Sequence, residues 1–429
     1  MIRFDADGLP HLDLERTTLP CGLDVIIHRD PSSPQVCTSV WYRVGSSDER
    51  PDLTGFAHLF EHVFKNSLHV PAHHYEILRR AGSSDANAST GADRTAYHEV
   101  VPSHELELAL WLESDRMGYF APGMTAERLA QQQQVVVAER RQRYENVPYG
   151  AERFLLAAGL YPEGHPHRYL TIGQTEHIEG ATLADVMAFY RTWYVPANAT
   201  LVVAGDVDDR VLDAIERFFG SFPHSARPGR PQASADVAAP VVETCTDRFA
   251  ALTRIHRAWL GPPAFAADEA ELDLATTAWT ATGTGALWRR LVYDTQLAQR
   301  VSAWTSNTRL GGEVHVSVDL RTGADPAAVR AILDEEVARP CEPGGLARAA
   351  TRREAGAIWG LTGLARRAQL LQRYALYTGE PDGLAADLAR YRTVTAASAN
   401  AAVARWVRPA AMVEVETRPL HSLPSSSSS

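Results

Sequence analysis

The chain has little cysteine, no surplus of basic charge and no long apolar run, and each shortage closes off a class of function. Four cysteines, Cys21, Cys37, Cys245 and Cys341, are scattered through 429 residues. They show neither metal-ligand spacing nor the density of a disulfide framework, so a cysteine–zinc module and a stapled secreted domain are both excluded. The formal net charge is −10, with 42 Lys and Arg against 52 Asp and Glu. The charges are mixed along the sequence, which speaks for solubility and against nucleic acid as a partner. No stretch approaches the ~18–20 apolar residues of a membrane span. The opening Met1-Ile-Arg-Phe-Asp-Ala-Asp-Gly8 lacks the apolar core of a signal peptide. No membrane partner is expected, and a cytoplasmic location is. What is present is a chain of 429 residues, 45% of them hydrophobic, long enough for more than one domain with substantial cores.

The most informative segment is Leu53-Thr-Gly-Phe-Ala-His-Leu-Phe-Glu-His-Val-Phe64. It contains His58-x-x-Glu61-His62, the inverted order of the zinc-protease helix motif. Positions i, i+3 and i+4 share one face of a helix. One turn therefore offers two imidazoles to an ion and a carboxylate to a water. Thr54 is the expected N-cap. Phe56, Leu59, Phe60, Val63 and Phe64 cover much of the circumference, so the helix is expected to be buried, and buried His and Glu need partners that a metal can supply. The competing reading is an ordinary amphipathic helix with solvated histidines.

Catalytic zinc sites use three protein ligands and leave a position for water. Glu139 is the best third candidate. It sits in Gln131-Gln-Gln-Gln-Val-Val-Val-Ala-Glu-Arg-Arg-Gln-Arg-Tyr144, a segment without Gly or Pro that reads as a helix. An acidic side chain beside a Val-Val-Val-Ala run calls for a partner. That partner is either the metal or a neighbouring arginine, Arg140 or Arg143. His69, His73 and His74, which follow the motif, and His165 and His167 read as solvated loop residues rather than ligands.

On these residues the chain resembles the pitrilysin and mitochondrial-processing-peptidase superfamily of zinc metallopeptidases, the inverzincins. The same interval from motif to Glu139 occurs in that family, within a Val-Val-x-x-Glu-like helix. Leu19–Val25 resembles the family's opening strand, Val44–Glu49 the approach to the metal helix, and Asn87–Tyr97 the strand that receives substrate. Glu113–Met117 and Tyr194–Asp206 match as well. The resemblance implies an α+β fold of two related domains. Each is a mainly antiparallel sheet covered by helices, and together they form half of a peptidase chamber. It implies one Zn2+ per chain held by His58, His62 and Glu139, with Glu61 as general base. It places Asn87 and Ala88 on an edge strand that pairs with extended peptide; the competing reading of Asn87 is a turn residue after Gly82-Ser-Ser.

Two departures from the family pattern bear on activity. Gln132 stands where relatives often have a Glu two turns before the third ligand; it can still hydrogen-bond from the outer shell but carries no charge. In Leu291-Val-Tyr-Asp-Thr-Gln-Leu-Ala-Gln299 the Arg and Tyr that help bind the substrate carbonyl are replaced by Val292 and Gln299. Arg289, Arg290 and Tyr293 are nearby but out of register. Losing one oxyanion donor costs ~3–4 kcal/mol. The expectation is therefore a zinc-bearing endopeptidase subunit of a heterodimer whose related partner supplies Arg and Tyr. A homodimer is the alternative partner, and a non-catalytic scaffold the alternative function. Unstructured peptides or precursor leaders are the expected substrates.

The chain reads as repeating once. Arg191-Thr-Trp-Tyr-Val-Pro-Ala-Asn-Ala-Thr-Leu-Val-Val203 and Ala404-Arg-Trp-Val-Arg-Pro-Ala-Ala-Met-Val-Glu-Val415 both read as helix end, turn and strand. Ser39–Val44 and Arg254–Leu260 are matching strands with a Trp. The expected division is a zinc-binding domain over 1–222, an exposed Pro/Ala/Ser/Arg-rich linker over 223–240, a non-catalytic homologous domain over 241–424 and a serine tail over 425–429. An Ala-rich helix over Gly363–Tyr377 reads as a packing surface for a partner or as core.

Overall fold

The computed structural model describes residues 2–65, 67–70, 74–237 and 239–420. His73 and the serine tail lie outside the described residues. A short hairpin, Ile2–Phe4 (β1) with Pro10–Leu12 (β2), precedes the two main sheets. The first sheet is built from Glu15–Thr18 (β3), Asp24–Arg29 (β4), Gln35–Tyr42 (β5), Asp85–Thr90 (β6), Thr95–Pro102 (β7) and Ala199–Gly205 (β8), in the order β3-β4-β8-β5-β7-β6. β5 and β8 are near-continuous buried apolar runs (Val36, Cys37, Val40 and Tyr42; Leu201 to Ala204), as central strands covered on both faces must be. β6 alternates exposed and half-buried residues, the pattern of an edge.

The second sheet uses Val241–Asp247 (β9), Arg254–Gly261 (β10), Ala298–Asn307 (β11), Gly312–Leu320 (β12) and Val413–Pro419 (β13), in the order β11-β12-β10-β13-β9. Read from the other edge this is β9-β13-β10-β12-β11, the same path as β4-β8-β5-β7-β6. The pairing senses agree too. β4 with β8 and β9 with β13 are parallel, and the remaining neighbours are antiparallel. The helix-turn-strand segments seen in the sequence occupy equivalent places. Each helix, Leu183–Trp193 and Ala396–Trp406, starts at a threonine capping box and is followed by a 3-10 turn, Pro196–Asn198 or Pro409–Ala411, and the parallel strand. The α+β fold with two related, mainly antiparallel sheets is therefore what the chain adopts.

The compact units do not follow contiguous halves. The first comprises the chain up to Val137, Thr171–Pro231 and Gly356–Asp387; the second comprises Ala138–Leu170, Gln232–Ala355 and the chain from Leu388 on. The first boundary falls inside the helix Ala126–Arg140. Each unit thus takes one helix from the opposite half of the sequence. Leu364–Tyr377 covers β5 and β8 of the first sheet, where Gln372 donates to the Ser39 and Thr200 carbonyls at 2.8 Å each and Arg367 pairs with Asp30. This is the Ala-rich helix expected to be core or partner surface; it is cover for a sheet. Reciprocally, Glu152–Leu160 packs on β13 and β10 of the second sheet.

Among its described residues the segment 223–240 has no helix or strand and is mostly exposed, yet it is held at several points. Arg227 Nε donates to the Ala197 carbonyl at 2.9 Å, and Arg230 is bound by Asp48 at 2.6 and 2.8 Å. Val237 is buried with Leu156, Tyr161 and Val413. Arginine side chains find acceptors that composition does not reveal. Among the described residues no helix is long and apolar enough to cross a membrane.

Titratable side chains form a row on the second sheet. Glu152 Oε1 meets His256 Nδ1 (3.1 Å), His256 Nε2 meets His315 Nδ1 (3.2 Å), His315 Nε2 meets Glu313 Oε2 (2.8 Å), and the Tyr161 hydroxyl donates to Glu313 Oε1 (2.9 Å). Arg254, itself paired with Asp319, also reaches Glu152. One proton fits between the two imidazoles; a second would set two N–H donors face to face. Burial lowers His256 below its ordinary 6.5, against the pull of Glu152. Burial works to raise Glu313, but the bond and charge of His315, the Tyr161 hydroxyl and the charge of His167 together hold it below its ordinary 4.5. Both groups bind protons more readily in the unfolded chain. Their contribution to stability is complete above the ordinary histidine value and declines as pH falls, first through the histidine range and then through the carboxylate range. A melting temperature that drops between about pH 7 and 5, with a shallower slope in His256→Gln, is the expected result. Identical slopes in the two proteins would contradict it.

Candidate metal centre

The motif forms the helix Phe56–Val63. Its apolar side is fixed by aromatic packing. Phe60 lies 3.8 Å from Tyr194 and 5.0 Å from Phe120, ring centre to ring centre, and Phe64 lies 5.7 Å from Tyr42. With that side buried, helical periodicity turns His58, Glu61 and His62 the other way.

The start of the helix differs from expectation. Gly55, at φ +82°, is the N-cap. The amides of Gly55 and Ala57 donate to the Glu49 carboxylate at 2.8 and 2.7 Å. A carboxyl group at a helix N-terminus satisfies orphan amides. Burial pushes Glu49 up to about 8 while those amides pull it down. Thr54 serves the neighbouring loop instead, accepting the Gln174 amide at 3.0 Å and meeting His177 Nδ1 at 2.9 Å. That loop crosses the helix start so closely that a Cβ on Gly55 would lie 2.7 Å from the Gly173 Cα, and one on Gly173 would lie 2.3 Å from the Gly55 Cα. Two glycines, both with positive φ, are what this crossing requires.

The third candidate comes from the helix Ala126–Arg140. Leu129, Val136 and Val137 are buried, and Gln133 donates to the Ile178 and Ala181 carbonyls at 2.7 and 2.9 Å. These contacts fix the rotation that sequence pattern left open, and Glu139 rides on the last turn. The ligand atoms of His58, His62 and Glu139 all lie within 4.8 Å of one another, the one such group among the described residues. The two imidazole centres are 4.8 Å apart. Donors around a tetrahedral zinc with bonds of ~2.0–2.2 Å sit roughly 3.3–3.5 Å apart, so small side-chain rotations suffice and the residues fit such an ion. The arginine reading does not exclude the metal one: Arg143 Nη1 pairs with Glu139 Oε1 at 2.8 Å, and a carboxylate has a second oxygen to offer.

Glu61 is buried, and its Oε2 accepts a hydrogen bond from the Thr90 hydroxyl at 2.7 Å. Sequence reasoning did not single out Thr90. The available signal was the period of two that places it on the same face of β6 as Ala88. Asn87 and Ala88 lie in β6, the last strand of its sheet, so Asn87 is a strand residue and not a turn residue. The Ala88 amide donates to the Asn87 side chain at 2.9 Å, which protects an edge amide in the way exposed strands require. Gln132 is half-buried, seven residues before Glu139 on the same helix. Val292 is half-buried and Gln299 exposed; Arg290 is engaged by Glu335 and Glu336, and the Tyr293 side chain is exposed. His69 bonds Asp115, and His165 and His167 lie against Tyr161 in the second unit. None of these histidines joins the group of three.

The architecture recurs in solved structures. A protease from Helicobacter pylori superposes with a TM-score of 0.87 at 22% identity, covering 95% of this chain and 100% of that one. An M16 inactive-domain protein from Pseudomonas fluorescens gives 0.81 at 19%, covering 95% and 98%. The model for insulinase (peptidase family M16) matches residues 24–163, which include the motif and Glu139, and the model for the M16 inactive domain matches residues 180–344. The chain belongs to the M16 peptidase family. Among curated proteins it is 31% identical over 212 residues to the zinc protease PqqE of Helicobacter pylori (48% of this chain, 47% of that protein). It is 30% identical over 245 residues to the chloroplastic stromal processing peptidase of Arabidopsis thaliana (54% and 19%). The match spans about half the length of the first and a fifth of the second.

Proposed function

We propose that the chain is a zinc-dependent endopeptidase acting on unstructured peptides or precursor leader segments, as the zinc-bearing subunit of a complex with a related chain. The observation that carries this is the convergence of His58, His62 and Glu139 from two helices beside the buried Glu61. When bound, a zinc ion acidifies a water and polarises a carbonyl. His58, His62 and Glu139 hold it, one ion per chain. Glu61 takes the proton of the attacking water and returns one to the leaving amine. Asn87 and Ala88 offer the free edge of β6 to an extended substrate, which favours segments without folded structure. Gln132 supports Glu139 from the outer shell without adding charge. The protein names of two relatives, a zinc protease and a processing peptidase, agree with this reading.

Val292 and Gln299 favour a partner. Without the expected Arg and Tyr, this chain lacks one source of oxyanion stabilisation, worth ~3–4 kcal/mol. The same two residues are what favours a non-catalytic structural subunit as the second reading. The test is cleavage of a quenched-peptide library by the zinc-loaded chain, alone and with a co-encoded related chain. Weak cleavage alone and at least ~100-fold faster cleavage in the complex is expected. Equal rates would remove the heterodimer, leaving a self-sufficient enzyme or a homodimer. Silence in both, with zinc bound, would favour the structural role.

A further inference from the structure

We propose that Thr90 is a positioning residue for Glu61, so that the strand offered to substrate also sets the direction of the base. This rests on the reading of Glu61 as that base. The hydroxyl of Thr90 has one proton, and it is spent on Glu61 Oε2 at 2.7 Å. The other carboxylate oxygen is left for the water to be activated. A carboxylate on a helix can rotate about its own side chain; this one is held from outside its helix, by the final residue of β6.

The anchor is itself unusually well fixed. In the turn that follows Thr90, the Gly91 carbonyl accepts the Ser46 amide at 3.1 Å, and the Ala92 carbonyl accepts both the amide (2.9 Å) and the hydroxyl (2.7 Å) of Ser47. Asp93 is buried and takes the Tyr377 hydroxyl at 2.8 Å, while Arg230 binds its carbonyl at 2.9 Å. Thr95, directly opposite Thr90 in the β6–β7 ladder, donates to the Val44 carbonyl at 2.9 Å. Groups from the loop before the motif helix, from the segment 223–240 and from the exchanged helix Leu364–Tyr377 therefore converge on one hairpin end. A catalytic side chain works when its support holds it to a fraction of an ångström, and nothing in the strand itself calls for such bracing. A peptide added to β6 and the carboxylate bonded to Thr90 are then placed in a common frame.

Thr90→Val keeps the branched shape and removes the donor; Thr90→Ser keeps the donor. With the zinc-loaded protein in its active form, Thr90→Val should lower kcat about 10- to 100-fold, the range for a hydrogen bond to a charged group, with KM and bound zinc unchanged. Thr90→Ser should restore most of the rate, which a purely structural role for the methyl group would not produce. A Thr90→Val protein with unchanged kcat, or a Thr90→Ser protein as slow as Thr90→Val, would overturn the proposal. Failure of the peptidase reading looks different: the wild type would then cleave no faster than Glu61→Gln. In that case infrared spectra of glutamate-labelled protein decide. The carboxylate band that vanishes in Glu61→Gln should shift in Thr90→Val and return in Thr90→Ser, and a band that stays in place would refute the contact and the proposal with it.

Discussion

Replacing Glu61 by Gln is expected to reduce peptide cleavage by about 10^2- to 10^4-fold, the range contributed by a positioned general base, while zinc stays at about one ion per chain. The substitution is close to isosteric. The amide oxygen of Gln can still accept from Thr90, and the helix packing through Phe60 and Phe64 is untouched. What is lost is the capacity to take a proton. Cleavage rate and metal content measured on the same sample separate chemistry from binding. A variant that retains full activity with its zinc would reject Glu61 as the base and with it the proposed mechanism.

Replacing His58 by Ala should have the largest effect on the metal. Two donors would remain, His62 on the adjoining turn and Glu139, whose Oε1 is already shared with Arg143. The loss of affinity should exceed the ~10- to 100-fold typical of losing an outer-shell partner, so that the purified protein carries little zinc and added zinc restores little activity. Metal analysis after dialysis gives the answer directly. Zinc retained at wild-type level in His58→Ala would place the ion elsewhere and dissolve the three-residue centre.

How much of this was legible in the sequence follows from the range of the signals. His58, Glu61 and His62 lie within five residues, and helical spacing alone brings them to one face. Glu139 lies far along the chain, and its own segment left the choice between metal and arginine open; the family interval favoured the metal, and the geometry accommodates both. The repeat was visible because Trp193 and Trp406 end equivalent helices before equivalent strands. Contacts between distant segments were not. Thr54 has the right chemistry for an N-cap, yet the cap is supplied by Glu49 from the preceding turn, because Gly173 crowds the helix start. Thr90 is an ordinary strand residue until Glu61 is placed against it. Arg227 and Arg230 lie in the Pro/Ala/Ser/Arg-rich segment 223–240, whose composition does not name their acceptors, Ala197 and Asp48, far away in sequence. The apolar stripe of a helix shows that it covers something; it does not show which sheet, and so the exchange of Glu152–Leu160 and Leu364–Tyr377 was invisible.

That exchange orders events during synthesis. Ser39 and Gln372 are 333 residues apart, and Thr200 and Gln372 are 172 apart. At roughly 5–20 residues per second on the ribosome, the nascent β5 waits on the order of 20–60 s for the helix that covers it. The second sheet faces no such delay, since Glu152–Leu160 has already emerged when β10 and β13 arrive. The half of the sequence that carries the metal motif begins first, yet its covering helix emerges only after most of the second half has been made. Its central strands spend that interval with an apolar face uncovered, the state most open to misassembly, and a chain cut at residue 222 would remain in it.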